Sequence, residues 1–214
     1  MCQGGGPEWN AVLFLWEKGK VVHTARMSTP QAPVRSVAFS PWVREGEQGR
    51  FSVVGPGLLR SFRVDGAGMP EMDVGAARRA QQGFTCQCYV RGPSDTGAGT
   101  PAADTPAEGE GEAGVAPEPS LVIGTDQGEL LVVEGGEVVQ LLARHDGPGS
   151  INSLCPFSRG FVVGGSDGMV AVVERGPEDG DAFRIVKQLS VNRGGGTVTG
   201  ISVAPSEARA DAWR

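Results

Sequence analysis

Leu121-Val-Ile-Gly-Thr-Asp-Gln-Gly-Glu-Leu-Leu-Val-Val-Glu134 recurs in altered form as Phe161-Val-Val-Gly-Gly-Ser-Asp-Gly-Met-Val-Ala-Val-Val-Glu174. Each copy has an apolar run, a turn rich in glycine and aspartate, and a second apolar run closed by glutamate. Runs of this length, bounded by Gly and Asp, read as two strands of an antiparallel hairpin. Asp126 and Asp167 stand 41 residues apart.

That spacing lies within the ~40–45-residue period of propeller blades in WD-repeat proteins. Working toward the N-terminus, Phe51-Ser-Val-Val54, the turn Gly55-Pro56-Gly57 and Leu58 to Val64 repeat the phrase without its aspartate. Gly55 and Gly124 are 69 residues apart, but 27 of these, Pro93 to Pro119, form a Gly/Ala/Pro/Glu-rich stretch with almost no large apolar residue. Such a segment cannot offset its ordering entropy and is expected to be a disordered acidic insertion. Without it the spacing is 42 and the period is restored.

Outside the phrase, Ala11 to Trp16 and Val21 to Ala25 predict a hairpin, and Val34 to Phe39 predicts a strand ending before Pro41. Met69 to Met72 predicts a short outer strand, Gly75 to Gly83 one or two helical turns, and Phe84 to Val90 a strand. Further strands are expected at Val138 to Leu142, Ile151 to Cys155, Phe183 to Leu189 and Val198 to Val203. The predicted order is two strands, three sets of four, and one more. The expected fold is therefore all-β: residues 1–214 form a WD-repeat β-propeller segment with about three complete four-stranded blades and partial blades at both ends. A β-sandwich would match the strand count but not the period.

Composition narrows the function. Glycine supplies 34 and proline 15 of 214 residues, which disfavours long helices. Six carboxylates between Pro93 and Pro119 (Asp95, Asp104, Glu108, Glu110, Glu112 and Glu118) account for the net charge of −6. The remainder is balanced, with 19 acidic and 19 basic residues, which argues against nucleic-acid binding. No apolar run approaches the ~20 residues that span a bilayer, so membrane insertion is not expected. The N-terminus lacks the pattern of a secretory signal. Four scattered cysteines suit a reducing compartment, and an intracellular location is expected.

The chemistry-bearing residues favour structural roles. Asp126 and Asp167 are expected to accept backbone hydrogen bonds in hairpin turns. Cys86 and Cys88, two apart on one strand face, could join His23 or His145 around a metal, but zinc sites usually carry two ligand pairs; buried thiols are the expectation. Arg193-Gly-Gly-Gly-Thr197 lacks the lysine and helix of a phosphate loop, and no Gly-x-Ser-x-Gly elbow occurs. Trp16 is expected in the blade core. Trp42, in the loop after Ser40-Pro41, is expected either to cover a blade edge or to anchor a partner; Trp9 and Trp213 carry no assignment. No catalytic, cofactor-binding or metal-ligating residues are assigned, no cofactor is expected, and the chain is expected not to be an enzyme.

Five stretches resemble one family in order. Trp16-Glu-Lys-Gly-Lys20, Val53-Val-Gly-Pro-Gly-Leu-Leu-Arg-Ser-Phe-Arg63, Val122-Ile-Gly-Thr-Asp-Gln-Gly-Glu-Leu-Leu-Val-Val-Glu134, Ser158-Arg-Gly-Phe-Val-Val-Gly-Gly165 and Val203-Ala-Pro-Ser-Glu207 look like successive parts of the ciliary WD-repeat family of cilia- and flagella-associated protein 57. The resemblance implies a non-catalytic scaffold in the cilium or flagellum axoneme, within the cytoplasmic cytoskeleton, that supports attachment, assembly or regulation of inner dynein arms. It implies axonemal partners, namely inner-arm dynein or dynein-regulatory components. Members of the family continue into long coiled coils, and this chain shows no heptad run, so it is expected to be a fragment or a truncated gene product. The alternative is a WD-repeat adaptor of a vesicle coat or ubiquitin ligase.

Overall fold

The computed structural model describes residues 2–4, 9–27, 33–43, 46–75, 83–92, 118–143, 149–176, 182–191 and 196–204. The described residues form four antiparallel sheets, the first of three strands and the others of four. The first contains β1 (Cys2–Gly4), β2 (Trp9–Leu15) and β3 (Lys20–Met27) in that order. The second runs β4 (Ser36–Phe39), β5 (Gly49–Gly55), β6 (Leu58–Val64) and β7 (Glu71–Met72). The third runs β8 (Phe84–Val90), β9 (Ser120–Thr125), β10 (Glu129–Glu134) and β11 (Glu137–Ala143), and the fourth β12 (Ile151–Phe157), β13 (Gly160–Gly165), β14 (Met169–Arg175) and β15 (Phe183–Ser190). In the complete sheets every strand pairs with the next in sequence, the meander of a propeller blade. β8 packs against β4 on one side and β12 on the other, so these first strands form the inner edge of the arc.

Alternation explains how the sheets stack. In β9 and β10, Leu121, Ile123, Leu131 and Val133 face the second sheet, while Val122, Leu130 and Val132 face the fourth. Successive residues of one strand thus serve two different cores. Between the second and third sheets lie Val54, Leu59, Phe84 and Tyr89; between the third and fourth lie Phe161, Val163, Val173 and Phe183. The seam between the first two sheets is filled by Ala11, Met27, Phe51 and Phe62, with Phe51 stacked on Phe62 at 5.0 Å between ring centroids. Each fully buried Phe, Leu or Val contributes about 1.5–3 kcal/mol, so the seams hold the arc together.

Glycine at the second strand of a blade makes room for the next blade. A Cβ on Gly124 would lie 2.6 Å from Ile151 Cγ2, and one on Gly164 would lie 2.5 Å from Val198 Cγ1. Val198 therefore occupies, beside the fourth sheet, the place that Ile151 occupies beside the third.

The three expected sets of four strands are present with near-expected bounds. β1 is an addition: Cys-Gln-Gly has no apolar run, and only its pairing with Trp9 to Ala11 identifies it as a strand. The strand expected over Val198 to Val203 is not assigned, because no ladder partner lies beside it among the described residues. The helical turns expected within Gly75 to Gly83 fall mainly on residues 76–82, outside the described residues. The same holds for residues 93–117 of the acidic stretch.

Candidate functional site

The hairpin of the first sheet carries the most exposed large apolar side chain among the described residues, Trp16. β2 ends at Leu15, and Trp16–Lys18 form a single 3-10 turn that closes on Gly19, whose φ of 59° lies in the left-handed region glycine tolerates. Trp16 is 80% exposed, with Phe14 at 47% and Val21 at 48% beside it. This corrects the expected core position of Trp16. Ala11 and Leu13 face the second sheet, so alternation puts position 16 on the opposite face with Phe14, and the 3-10 turn that begins there has no buried residue.

Trp42 is the opposite case. The Ser40 hydroxyl donates to the Trp42 carbonyl at 2.9 Å and accepts from its backbone N–H at 3.2 Å, a local turn that lays the indole against the seam of the second and third sheets. Trp42 covers a blade edge and Trp16 projects. The side chain of Trp9 and all of Trp213 lie outside the described residues.

A second feature runs along the rim where residues 93–117 leave the third sheet. Arg50, buried on β5, donates from Nη1 to Glu118 at 3.0 Å and from Nη2 to Glu47 at 3.2 Å. Burial opposes its charge, but the hydrogen bond to Glu118 and the attraction of both carboxylates outweigh it and hold the guanidinium above its ordinary pKa. At the next seam Arg175 donates to Ser120 Oγ at 2.9 Å and to Glu134 at 3.2 Å, while its guanidinium lies 4.3 Å from the Phe183 ring centroid. One arginine thus clamps each of two seams on the same rim. Beside Arg175 opens a cleft of about 180 Å³ lined in part by Arg91 and Arg159. The sequence carries no signal for these clamps, because Arg50 and Glu118 are 68 positions apart.

The aspartates serve turns. Asp126 Oδ1 accepts from Gly83 N–H at 3.2 Å, tying the β9–β10 turn to the start of β8, whereas Asp167 Oδ1 accepts from Met169 N–H within its own turn at 3.0 Å. They occupy different corners: the backbone N–H of Asp126 bonds Gly83, and its counterpart in the next blade is Ser166, bonding Ser150. Gly128 and Gly168, with φ of 80° and 76°, complete the turns.

Cys86 and Cys88 point into one seam on β8, with Thr85 Oγ1 3.7 Å from Cys86 Sγ. Burial raises the Cys86 thiol to about 11 and pushes Cys88 higher still, so neither is a thiolate near neutrality. His23 lies on β3 in the first sheet, and His145 is outside the described residues. Among the described residues no group of three His, Cys, Asp or Glu side chains could hold a metal ion. Residues 193–195 of the Arg193–Thr197 segment are also outside the described set; Thr197 Oγ1 is 3.3 Å from the Ser166 carbonyl. No helix among the described residues is long and apolar enough to cross a membrane.

Between the second and third sheets a polar line of Ser52, Ser61, Gln87 and Tyr89 is buried. Gln87 Nε2 donates to the Ser52 carbonyl at 2.8 Å, joining the two blades. Burial raises the Tyr89 phenol, with Ser52 and Ser61 nearby acting against it. The adjoining cavity of about 30 Å³ has room for a water rather than a substrate.

No protein-family model matches the chain, and no curated protein matches it. Among solved structures it is similar to the crystal structure of the β-propeller domain of Myceliophteria thermophila Cps50 (Swd1), at a TM-score of 0.56 and 14% identity. The match covers 86% of this chain and 55% of that one, so the chain spans about half the length of that domain. With the sheet order above, this establishes an all-β propeller segment with three complete four-stranded blades among the described residues.

Proposed function

We propose that the chain is a non-catalytic scaffold that displays blade loops and turns to protein partners. The observation that carries this reading is the pairing of tightly sewn seams with a projecting Trp16. Three packed seams and two arginine clamps make a rigid support, and an indole 80% exposed on a short turn is the kind of aromatic anchor on which binding energy concentrates.

The finer reading is a scaffold of the motile-cilium axoneme that supports attachment, assembly or regulation of inner dynein arms. Its support is the ordered resemblance of the five stretches, one of which begins at Trp16 itself. Localisation to the axoneme and contact with inner-arm components belong to the same proposal. The test is proteomics of isolated axonemes before and after dynein extraction, with Trp16→Ala introduced in parallel. The native chain is expected in the axoneme, and the variant is expected to bind about 10-fold or more weakly. Absence of the native chain from axonemes overturns the ciliary assignment. Undiminished binding of Trp16→Ala overturns the anchor.

A further inference from the structure

We infer that the cleft beside Arg175 binds the phosphoryl group of a phosphoserine or phosphothreonine carried by a partner peptide. That the partner is a protein rests on the scaffold reading above; the recognition of the anion rests on the cleft itself. Three elements bring an arginine to it: Arg91 follows β8, Arg159 stands in the Ser158-Arg159 connection of β12 and β13, and Arg175 ends β14. Among the described residues, no Asp or Glu lines it.

The three arginines are held differently. The Arg175 side chain is 16% exposed, its Nη2 lies 2.9 Å from Ser120 Oγ and 3.2 Å from Glu134, and its guanidinium stands over the Phe183 ring. The Arg159 side chain is 77% exposed, and its Nη2 is 3.6 Å from Glu174, too far for a hydrogen bond. Arg91 is exposed as well. A pair as loose and as wet as that of Arg159 contributes little and is readily exchanged for a better acceptor. The cleft thus joins one cation already oriented by its surroundings to two that are accessible to an incoming anion, which limits the side-chain ordering that binding must offset.

The chemistry selects a phosphoryl group over a carboxylate. Glu134 and Glu174 already present single negative charges to Arg175 and Arg159, so a further carboxylate gains little by replacing them. A phosphomonoester carries about −1.5 to −2 charge at neutral pH and three acceptor oxygens, which arginine forks meet with paired N–H donors. Size points the same way. At about 180 Å³ the cleft is smaller than the roughly 300–1,000 Å³ of sites that enclose a whole small molecule, so it fits one group of a longer ligand.

Its position suits a peptide. In a four-stranded meander the first and last connections open on the same rim. β2 and β3 precede the inner strand β4 as β10 and β11 precede β12, so the turn that carries Trp16 opens on the rim that holds the cleft. A phosphorylated partner docked on Trp16 can reach the cleft along that rim.

Titration calorimetry and phosphorus-31 NMR test this on the 214-residue chain at about 0.15 M salt, where surface charge is screened. The probes are a short blocked Gly/Ala peptide with a central phosphothreonine, the same peptide with threonine or glutamate there, and inorganic phosphate. The phosphopeptide is expected to bind with a Kd on the order of 1 mM or below. The threonine peptide is expected not to bind, and the glutamate peptide to bind about 10-fold more weakly. Arg91→Gln and Arg159→Gln are each expected to weaken the phosphopeptide about 10-fold, with circular dichroism unchanged because both side chains are exposed. Lys187→Gln, which removes an exposed charge from β15, and Trp16→Ala are expected to leave it unchanged. Binding should also weaken several-fold from pH 7 to pH 5, as the phosphoryl dianion takes up a proton near pH ~6. Absence of phosphopeptide binding, equal binding of the glutamate peptide, or an equal loss on Lys187→Gln overturns the inference. Free phosphate binding as tightly as the phosphopeptide overturns the peptide as its source. The anchor is read by Trp16→Ala and the cleft by Arg159→Gln, so either reading can fail while the other stands.

Discussion

Val122, Leu130 and Val132 in the third sheet occupy the same places as Val162, Val170 and Val172 in the fourth, yet the first three are 0–1% exposed and the second three are only half-buried. The inner strands show the same contrast. Cys88 pairs with Val122 and is buried, whereas its counterpart Cys155 pairs with Val162 and is half-buried. Two copies of one phrase thus differ in burial because a complete blade covers one and, among the described residues, only 196–204 cover the other. Burial in a repeat protein belongs to the interface between neighbours as much as to the repeat.

The largest expected effect separates the two faces. Leu130→Ala removes packing from a closed seam and is expected to cost about 2–5 kcal/mol in urea unfolding. Val170→Ala, at the matching position, is expected to cost about 1 kcal/mol or less, because less surface is withdrawn from water there. Equal losses would break the comparison.

The glycines sharpen it. Gly124→Ala would set a methyl 2.6 Å from Ile151 Cγ2 and 2.9 Å from Cys86 Sγ, both held in complete sheets, and is expected to cost about 1–3 kcal/mol. Gly164→Ala meets Val198 and Ile201, which lie in a segment with no ladder partner among the described residues. That segment can shift, so a smaller fall in melting temperature is expected.

Alkaline pH probes the buried thiol side. Cys86 titrates at about 11 in the fold against an ordinary value of 9.0, mainly because burial disfavours its thiolate. Below about pH 9 both states hold the proton and stability is unaffected; above it the unfolded chain ionises first, and stability falls as the pH approaches 11. The loss through Cys86 is expected to reach about 2–3 kcal/mol, with Cys88 adding in the same direction. Cys86→Ser, or Cys86→Ala if the hydroxyl unfolds the seam, should flatten this slope. A thiol reagent at about pH 8, below the ordinary thiol pKa, is expected to label Cys155 well before Cys86 or Cys88. Equal labelling rates would contradict the burial difference.

The blades are readable from sequence because alternating apolar runs and Gly-Asp turns recur at a fixed period, and each strand's two cores follow from that alternation. Trp16 departs from its expected place for a local reason: the period puts it at the end of a strand, but alternation sets position 16 with Phe14 on the face away from the second sheet, and a 3-10 turn begins there. β1 is silent because Cys-Gln-Gly has no pattern of its own and is defined by its partner. The Arg50 and Arg175 clamps are silent because each joins residues far apart in sequence, and an arginine beside an apolar run has no mark of a buried partner. The aspartates are legible as turn residues, but not the different corners they occupy, since a one-residue offset within a loop leaves the flanking pattern unchanged.

The hairpins that open the two blades supply the smallest test. β12 and β13 are joined by Ser158 and Arg159 alone, whereas β8 and β9 are separated by Arg91 to Pro119. The longer connection nevertheless leaves and returns at nearly one point, since a Cβ on Gly92 would collide with the Glu118 carbonyl. Replacing residues 93–117 with two or three glycines should therefore preserve the blade. It should stabilise it by about 1–2 kcal/mol, because each halving of a connection's length recovers roughly 0.6 kcal/mol of closure entropy. The cut must spare Glu118. A deletion through Pro119 leaves buried Arg50 with Glu47 alone, and the unmatched charge is expected to cost about 2 kcal/mol, cancelling the gain. If both deletions unfold at the same urea concentration, Glu118 does not clamp the seam, and the two hairpins differ only in length.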